Sequence, residues 1–421
     1  PPAKRARLRI AMTTDTAPTS TAGDAVLHSD PPRLRPAIWT GPLRAAGPFA
    51  AALAVAAFVS LAVLPHVGKY HGNEIADCGI AVMLAVSLTV VNGFTGQFSI
   101  GHSGFLSLGG YAAAATVYYG SYKLFGNFDL HGGRLSGGPA GGPWVTRGDG
   151  LFLLSLLTGG VVAAAIGWVV GLPSLRLRGD YLAIVTLGFC EIVRVLIQST
   201  GTQLTIDPDV NPTGLSDPAD LDPITRTLPQ QLTHLGGALG FTTVPAYATV
   251  FWIVAAAVLT LVLTVRLKYS AYGRAMLSVR EDDIAAQATG VNITRYKVRA
   301  FVFASFFAGV AGGLLATKNG TINAGELGFQ RSFDYVIMVV LGGLGSVSGA
   351  AIAAVLLTLL PEWLRPVADY RMVIYALLLI VIMIVRPQGL LGLREVWDYL
   401  PRRWRVWGRG PAGLPLKNGA A

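Results

Sequence analysis

The chain has 421 residues, 52% of them hydrophobic and 13% charged, with a mean hydropathy of +0.53 and a formal net charge of +10. A soluble domain carries about 25% charged residues, so an ordinary soluble enzyme and a disordered chain are both excluded, and the composition is that of a polytopic membrane protein. The basic residues lie between and beyond apolar runs, as membrane orientation requires, which argues against a nucleic-acid-binding face.

Residues 1–37 are polar, rich in Pro, Thr, Ser and Ala, and without an apolar run, which predicts a disordered basic tail. The early cluster Lys4, Arg5, Arg7 and Arg9 has no apolar core behind it at signal-peptide distance. Met12 is the first methionine and the expected native start, with residues 1–11 upstream of it. A transmembrane domain is expected over 38–395 and a second basic, Gly/Pro-broken cytoplasmic tail over 396–421.

A crossing helix needs about 20 apolar residues. Runs that predict helices lie near 48–66, 76–92, 100–119, 151–171, 181–199, 244–265, 299–317, 333–345, 347–364 and 370–386. The run 333–345 is short and ends in Gly342, Gly343 and Gly345, which predicts a half-helix or re-entrant segment. With the N-terminus placed inside, 23 Lys and Arg fall on the inner side and 9 on the outer, with Arg194 in a span. The fold class is therefore all-α, with eight to ten crossings and both termini cytoplasmic. The outer loops are 120–149, Gly-rich, and 200–243, acidic; each is a spacer or a docking surface.

Catalytic signatures are missing. The one Gly-Lys pair, Gly68-Lys69, is followed by Tyr70 and so opens no phosphate loop, and neither H-E-x-x-H nor G-x-S-x-G occurs. Cys78 and Cys190 are too few for a disulfide framework or zinc cage, and the six histidines form no metal cluster. The chain is not expected to be an enzyme or to hold a cofactor; any ATP-driven work needs another chain.

Four features carry the functional reading. In the span 181–199, Glu191 and Arg194 share a helical face, with Asp180 and Gln198 on the same stripe. Such charges at membrane depth are costly; they line a substrate path or form a structural pair. The segment 92–102 is polar and Gly-punctuated, with Asn92, Thr95, Gln97, Ser99 and His102 between two apolar runs; it is a broken helix or a plain turn. Small-residue repeats Gly167-xxx-Gly171, Gly309-xxx-Gly313 and Gly345-xxx-Gly349 predict close helix packing. The loop 266–299 contains Gly273 and Arg274, then Arg280, Glu281, Asp282, Asp283, Ile284, Ala285, Ala286 and Gly290. Ala275 to Thr289 is free of Gly and Pro and predicts one short surface helix stopped by Gly290. That helix is a connector or a handle for a soluble partner.

Across residues 75–395 these blocks resemble the M-type permease subunits of bacterial ABC importers for branched-chain amino acids. The stretches that carry the likeness are 93–102, 172–189, Glu191 to Arg194, 272–299, 342–346 and 386–390. Ile284-Ala285-Ala286-x-x-x-Gly290 has the spacing of the family's E-A-A-x-x-x-G coupling motif without its glutamate, and 205–213 resembles an insertion. The resemblance implies a permease bundle in the bacterial inner membrane and a second permease as heterodimer partner. It also implies two cytoplasmic ATPases that bind ATP and magnesium, and an extracytoplasmic amino-acid-binding protein. A related permease for urea or short amides is the nearer alternative; an ion-coupled secondary transporter and a membrane enzyme are more distant ones.

Overall fold

The computed structural model describes residues 50, 52–60, 66, 68–126, 129–139, 141–174, 180–201, 233–386, 388–392 and 395–399. Residues 1–49, with the whole N-terminal tail, residues 400–421 of the C-terminal tail and most of the outer loop 200–243 fall outside the described residues. Among the described residues the regular structure is helical.

Helix α1 (Lys69–Thr89) runs on into a π-helical turn, Val90–Phe94. After it come α2 (His102–Phe125), α3 (Arg147–Ser174), α4 (Asp180–Gln198) and α5 (Val250–Tyr269). Two short helices follow, α6 (Ala271–Glu281) and α7 (Asp283–Ala288), and then α8 (Ile293–Asn319), α9 (Phe329–Gly342) and α10 (Val347–Trp363). The last helices among the described residues are α11 (Arg371–Val385) and the single turn α12 (Val396–Tyr399).

Each of the ten apolar runs contains helix, the first at 52–58. Among the described residues, five helical stretches are long and apolar enough to cross a membrane: Tyr70–Phe94, Arg147–Leu172, Tyr181–Gln198, Val250–Tyr269 and Ile293–Asn319. In α1 and α8, 72% of the most apolar stretch is buried, against 33% in α3, α4 and α5, so α1 and α8 form the axis of the bundle. Helix α2 is long but mixed in composition, and its Gly, Ser and Tyr residues other than Gly120 and Tyr122 are buried.

Three glycines explain how α2, α3 and α8 meet. A Cβ on Gly109 would stand 2.2 Å from the Gly309 Cα; one on Gly309 would stand 2.5 Å from the Gly159 oxygen; one on Gly159, 2.5 Å from the Gly109 oxygen. The backbones thus touch in a ring of three, the close approach that small residues permit between apolar helices. Gly313 packs on Ala113 and Leu156.

The repeat Gly345-xxx-Gly349 is not a packing stripe. Gly345 lies in the turn before α10 at φ +102°, whereas Gly349 is helical and abuts the Gly342 oxygen. The turn, not a helix crossing, requires glycine there. The expected single helix over 275–289 is also corrected. It is two helices, because Asp282 is extended (φ −157°, ψ 116°) and its carboxylate accepts from the N–H groups of Ile284 and Ala285 at 2.7 and 3.1 Å. A side chain that caps a new helix competes with continuing the old one.

Candidate functional site

Helices α6 and α7 sit at the end of the bundle where α1 breaks and where α9 turns into α10. Three of the expected site segments converge there. The Arg280 Nη1 donates to the Gly93 oxygen at 2.8 Å and to the Leu344 oxygen at 3.2 Å. A Cβ on Gly93 would lie 2.8 Å from the Gly345 nitrogen, so the two breaks touch through backbone alone. The guanidinium fills carbonyl valences that a broken helix leaves open.

The three acidic residues next to Arg280 have different surroundings. Asp282 caps α7; Asp283 bonds the Lys297 Nζ at 3.0 Å, tying α7 to the start of α8; Glu281 is exposed. Ser270 caps α6 by accepting from the Gly273 N–H at 3.2 Å, and Arg274 bonds the Tyr269 oxygen. Of α7 only Ala286 is buried; Ile284 is 80% exposed and Ala285 is exposed beside it. Gly290 ends the unit at φ +85°. Ile284 is thus held out on a capped, tethered turn.

A buried carboxylate that sequence reading did not single out braces the same end. Glu395 is 1% exposed, pairs with the Lys268 ammonium at the end of α5, and accepts from the N–H groups of Val347 and Ser348 at 3.0 and 2.9 Å. The Ser348 hydroxyl also donates to it, and the Lys268 Nζ reaches the Gly345 oxygen at 2.7 Å. Burial alone would raise its pKa, but the Lys268 charge and hydrogen bonds from Lys268 and Ser348 outweigh burial and hold the carboxyl below its ordinary value. Glu395 therefore caps α10 as an anion at a helix N-terminus, 47 residues from Ser348 in the chain. No local pattern announces it.

The segment 92–102 is buried except at Gly96 and Phe98 and is cross-linked by its own polar groups. The Ser99 N–H donates to the Asn92 Oδ1 at 3.2 Å, and the Asn92 Nδ2 donates to the Ser99 oxygen at 3.4 Å. The Thr95 hydroxyl donates to the Val91 oxygen at 2.8 Å and to the Gln97 Oε1 at 3.2 Å. His102 Nε2 lies 3.0 Å from the Ser87 hydroxyl, and the Ile100 N–H donates to the Thr186 hydroxyl at 3.0 Å. A π-turn followed by a non-helical stretch frees polar groups here, and the side chains of Asn92, Thr95 and Thr186 meet several of them.

Deeper in the bundle, α2, α4 and α9 meet. The Ser103 N–H donates to the Ser332 hydroxyl at 2.9 Å, the two hydroxyls are 2.6 Å apart, and the Cys190 Sγ lies 2.9 Å from the Ser103 Oγ. One residue on, the Glu191 carboxylate accepts from the Arg194 Nε at 2.7 Å and from the Phe329 N–H, the first of α9, at 2.9 Å. The Arg194 Nη1 donates to the Gln198 Oε1 at 3.1 Å. The side chains of Glu191 and Arg194 stay 28% and 31% exposed. Asp180, expected on the same stripe, is more than two helical turns away at the start of α4.

A groove of about 600 Å³ lies elsewhere, between α3 and α8, lined by Trp168, Val298, Phe303 and Phe306 with Arg295 and Arg299. Among the described residues no group of His, Cys, Asp and Glu could hold a metal.

The family model described as the permease component of branched-chain amino acid transport systems matches residues 73–385. The high-affinity branched-chain amino acid transport system permease protein LivM of Escherichia coli K12 is 34% identical over 352 residues, 81% of this chain and 71% of that protein. LivM of Salmonella typhimurium is 34% identical over 322 residues, 75% of this chain and 68% of the relative. The permease protein LivH of the same organism is 36% identical over 151 residues, 35% of this chain and 48% of the relative. No solved structure matches.

Proposed function

The chain belongs to the permease-component family of branched-chain amino acid transport systems, and on that premise we propose that ATPases docked on α6 and α7 swing it between outward-open and inward-open states. It is a multi-pass membrane permease subunit of a branched-chain amino acid ABC importer. Similarity to both LivM and LivH implies a permease pair, and the second permease of a heterodimer is the partner proposed here.

In this reading the α6–α7 end is cytoplasmic, both termini lie on that side, and the membrane is the bacterial inner membrane. The nucleotide and its magnesium sit on the partner ATPases, so this chain does no covalent chemistry. An extracytoplasmic amino-acid-binding protein delivers the substrate at the opposite face. The two states must differ in affinity for the nucleotide-loaded ATPases or for the loaded binding protein, because only differential binding shifts an equilibrium.

The observation that carries the reading is Arg280. It stands on the helix next to the exposed Ile284, and its side chain bonds the carbonyls of both broken segments, Gly93 and Leu344. A push on α7 thus reaches the backbone of two membrane elements through one guanidinium. The test is uptake of leucine by proteoliposomes containing this chain, its partner permease and the ATPases, with loaded binding protein added at the delivery face. Uptake that requires hydrolysable ATP on the α6–α7 side is expected. Accumulation by this chain alone, driven by an ion gradient, would overturn the proposal.

A further inference from the structure

The pair Glu191–Arg194 is placed unlike a structural lock. It lies seven and four residues short of the end of α4, so Glu191 is about 10 Å from that end at 1.5 Å per residue. Through the Phe329 N–H it is level with the first turn of α9, about 20 Å from the turn at Gly343. That position is about a third of the way across a ~30 Å hydrocarbon core, too deep for the short Glu191 side chain to reach the nearer interface, and the Arg194 Nε is turned to its carboxylate. Yet about a third of each side chain is open. Lipid tails offer nothing to such groups. Protein or a polar solute must meet them.

The chemistry of the opening is specific. The carboxylate is held by α9 and by Arg194, and the guanidinium by Glu191 and Gln198, so both charges are fixed in direction. The Arg194 Nη2 bonds no described residue. The site is neutral overall but presents both signs side by side. Beside it stand two exposed apolar residues, Val195 at 54% and Phe329 at 46%. On α4, Val195 is one turn from Glu191 and shares its face.

We propose that Glu191, Arg194 and Gln198 form the subsite where the zwitterionic head of an α-amino acid rests in transit. The ammonium meets Glu191 and the carboxylate meets Arg194, while an apolar side chain lies on Val195 and Phe329. A neutral solute carrying both charges leaves no uncompensated charge in the bundle, whereas a plain amine or a plain carboxylate leaves one. This deepens the importer reading and rests on it.

The experiment uses the assembled importer in proteoliposomes with binding protein loaded with tritiated leucine, reading leucine moved per ATP hydrolysed. Arg194→Gln is expected to lower that ratio about 10- to 100-fold, the range of a lost hydrogen bond to a charged group. The double variant Glu191→Gln, Arg194→Gln is expected to stay low. If the pair only locks helices or braces a permease contact, removing both charges restores the ratio, and that result overturns the proposal. Arg194→Lys keeps the charge and loses the planar fork, so it covers the case in which the glutamine variant does not assemble. An assembled Arg194→Lys importer with the wild-type ratio also overturns the proposal. A wild-type importer that moves no leucine would refute the importer reading itself, a separate outcome.

Discussion

Glu395→Ala removes one partner of a buried ion pair and the anionic cap of α10 in a single step. The wild-type carboxylate is 1% exposed and its Lys268 partner 11%, so solvent cannot replace what is lost. Leaving one charge of such a pair uncompensated costs about 3–5 kcal/mol. The amides of Val347 and Ser348, which donate to Glu395, should therefore exchange with solvent faster by about two to three and a half orders of magnitude. Hydrogen–deuterium exchange on peptides covering 341–349 measures this in detergent or nanodiscs. Adding Lys268→Met to the variant should recover part of the protection, because the stranded ammonium is gone. If the two substitutions add without coupling, the pair is not the brace described here.

Three further outcomes follow from the geometry. Gly109→Ala should lower the thermal midpoint in detergent, since its Cβ would stand 2.2 Å from the Gly309 Cα and overpacking costs about 1–3 kcal/mol; Gly188→Ala, with nothing within 4 Å, should leave the midpoint unchanged or raise it. Asp282→Ala should cost about 0.5–2 kcal/mol of α7 stability, read as faster exchange at Ile284 and Ala285; unchanged exchange would refute the cap. Because the Glu395 carboxyl is held below its ordinary value, its contribution is complete above the usual carboxylate pKa and is lost as pH falls through the lower folded value. Protection at Val347 and Ser348 should fall in that acid range in the wild type, and Glu395→Gln should flatten the dependence.

Much of the helical frame is legible because an apolar run of membrane length leaves few other structures open to it. The pairing of Glu191 with Arg194 is legible for a similar reason: three residues apart on a helix is a fixed geometry. What closes the site is not legible. The Phe329 amide reaches Glu191 from 138 residues away, and Glu395 caps α10 from beyond another helix. Gly309 stands out in a small-residue repeat, but its partners Gly109 and Gly159 can be known only once the three helices cross. The split at Asp282 turns on a local contest between a capping carboxylate and helix propagation, which composition leaves undecided. In the 93–102 stretch, polarity pointed to a break, while the bonds that fill it depend on how the chain folds back on itself.

The central claim is that force applied at α7 reaches the membrane breaks through Arg280. The most direct measurement is leucine moved per ATP hydrolysed by the reconstituted importer carrying Arg280→Ala. Two hydrogen bonds to Gly93 and Leu344 are lost, so the account predicts a ratio reduced about tenfold or more in an importer that still assembles with its ATPases. A wild-type ratio in that variant would contradict it.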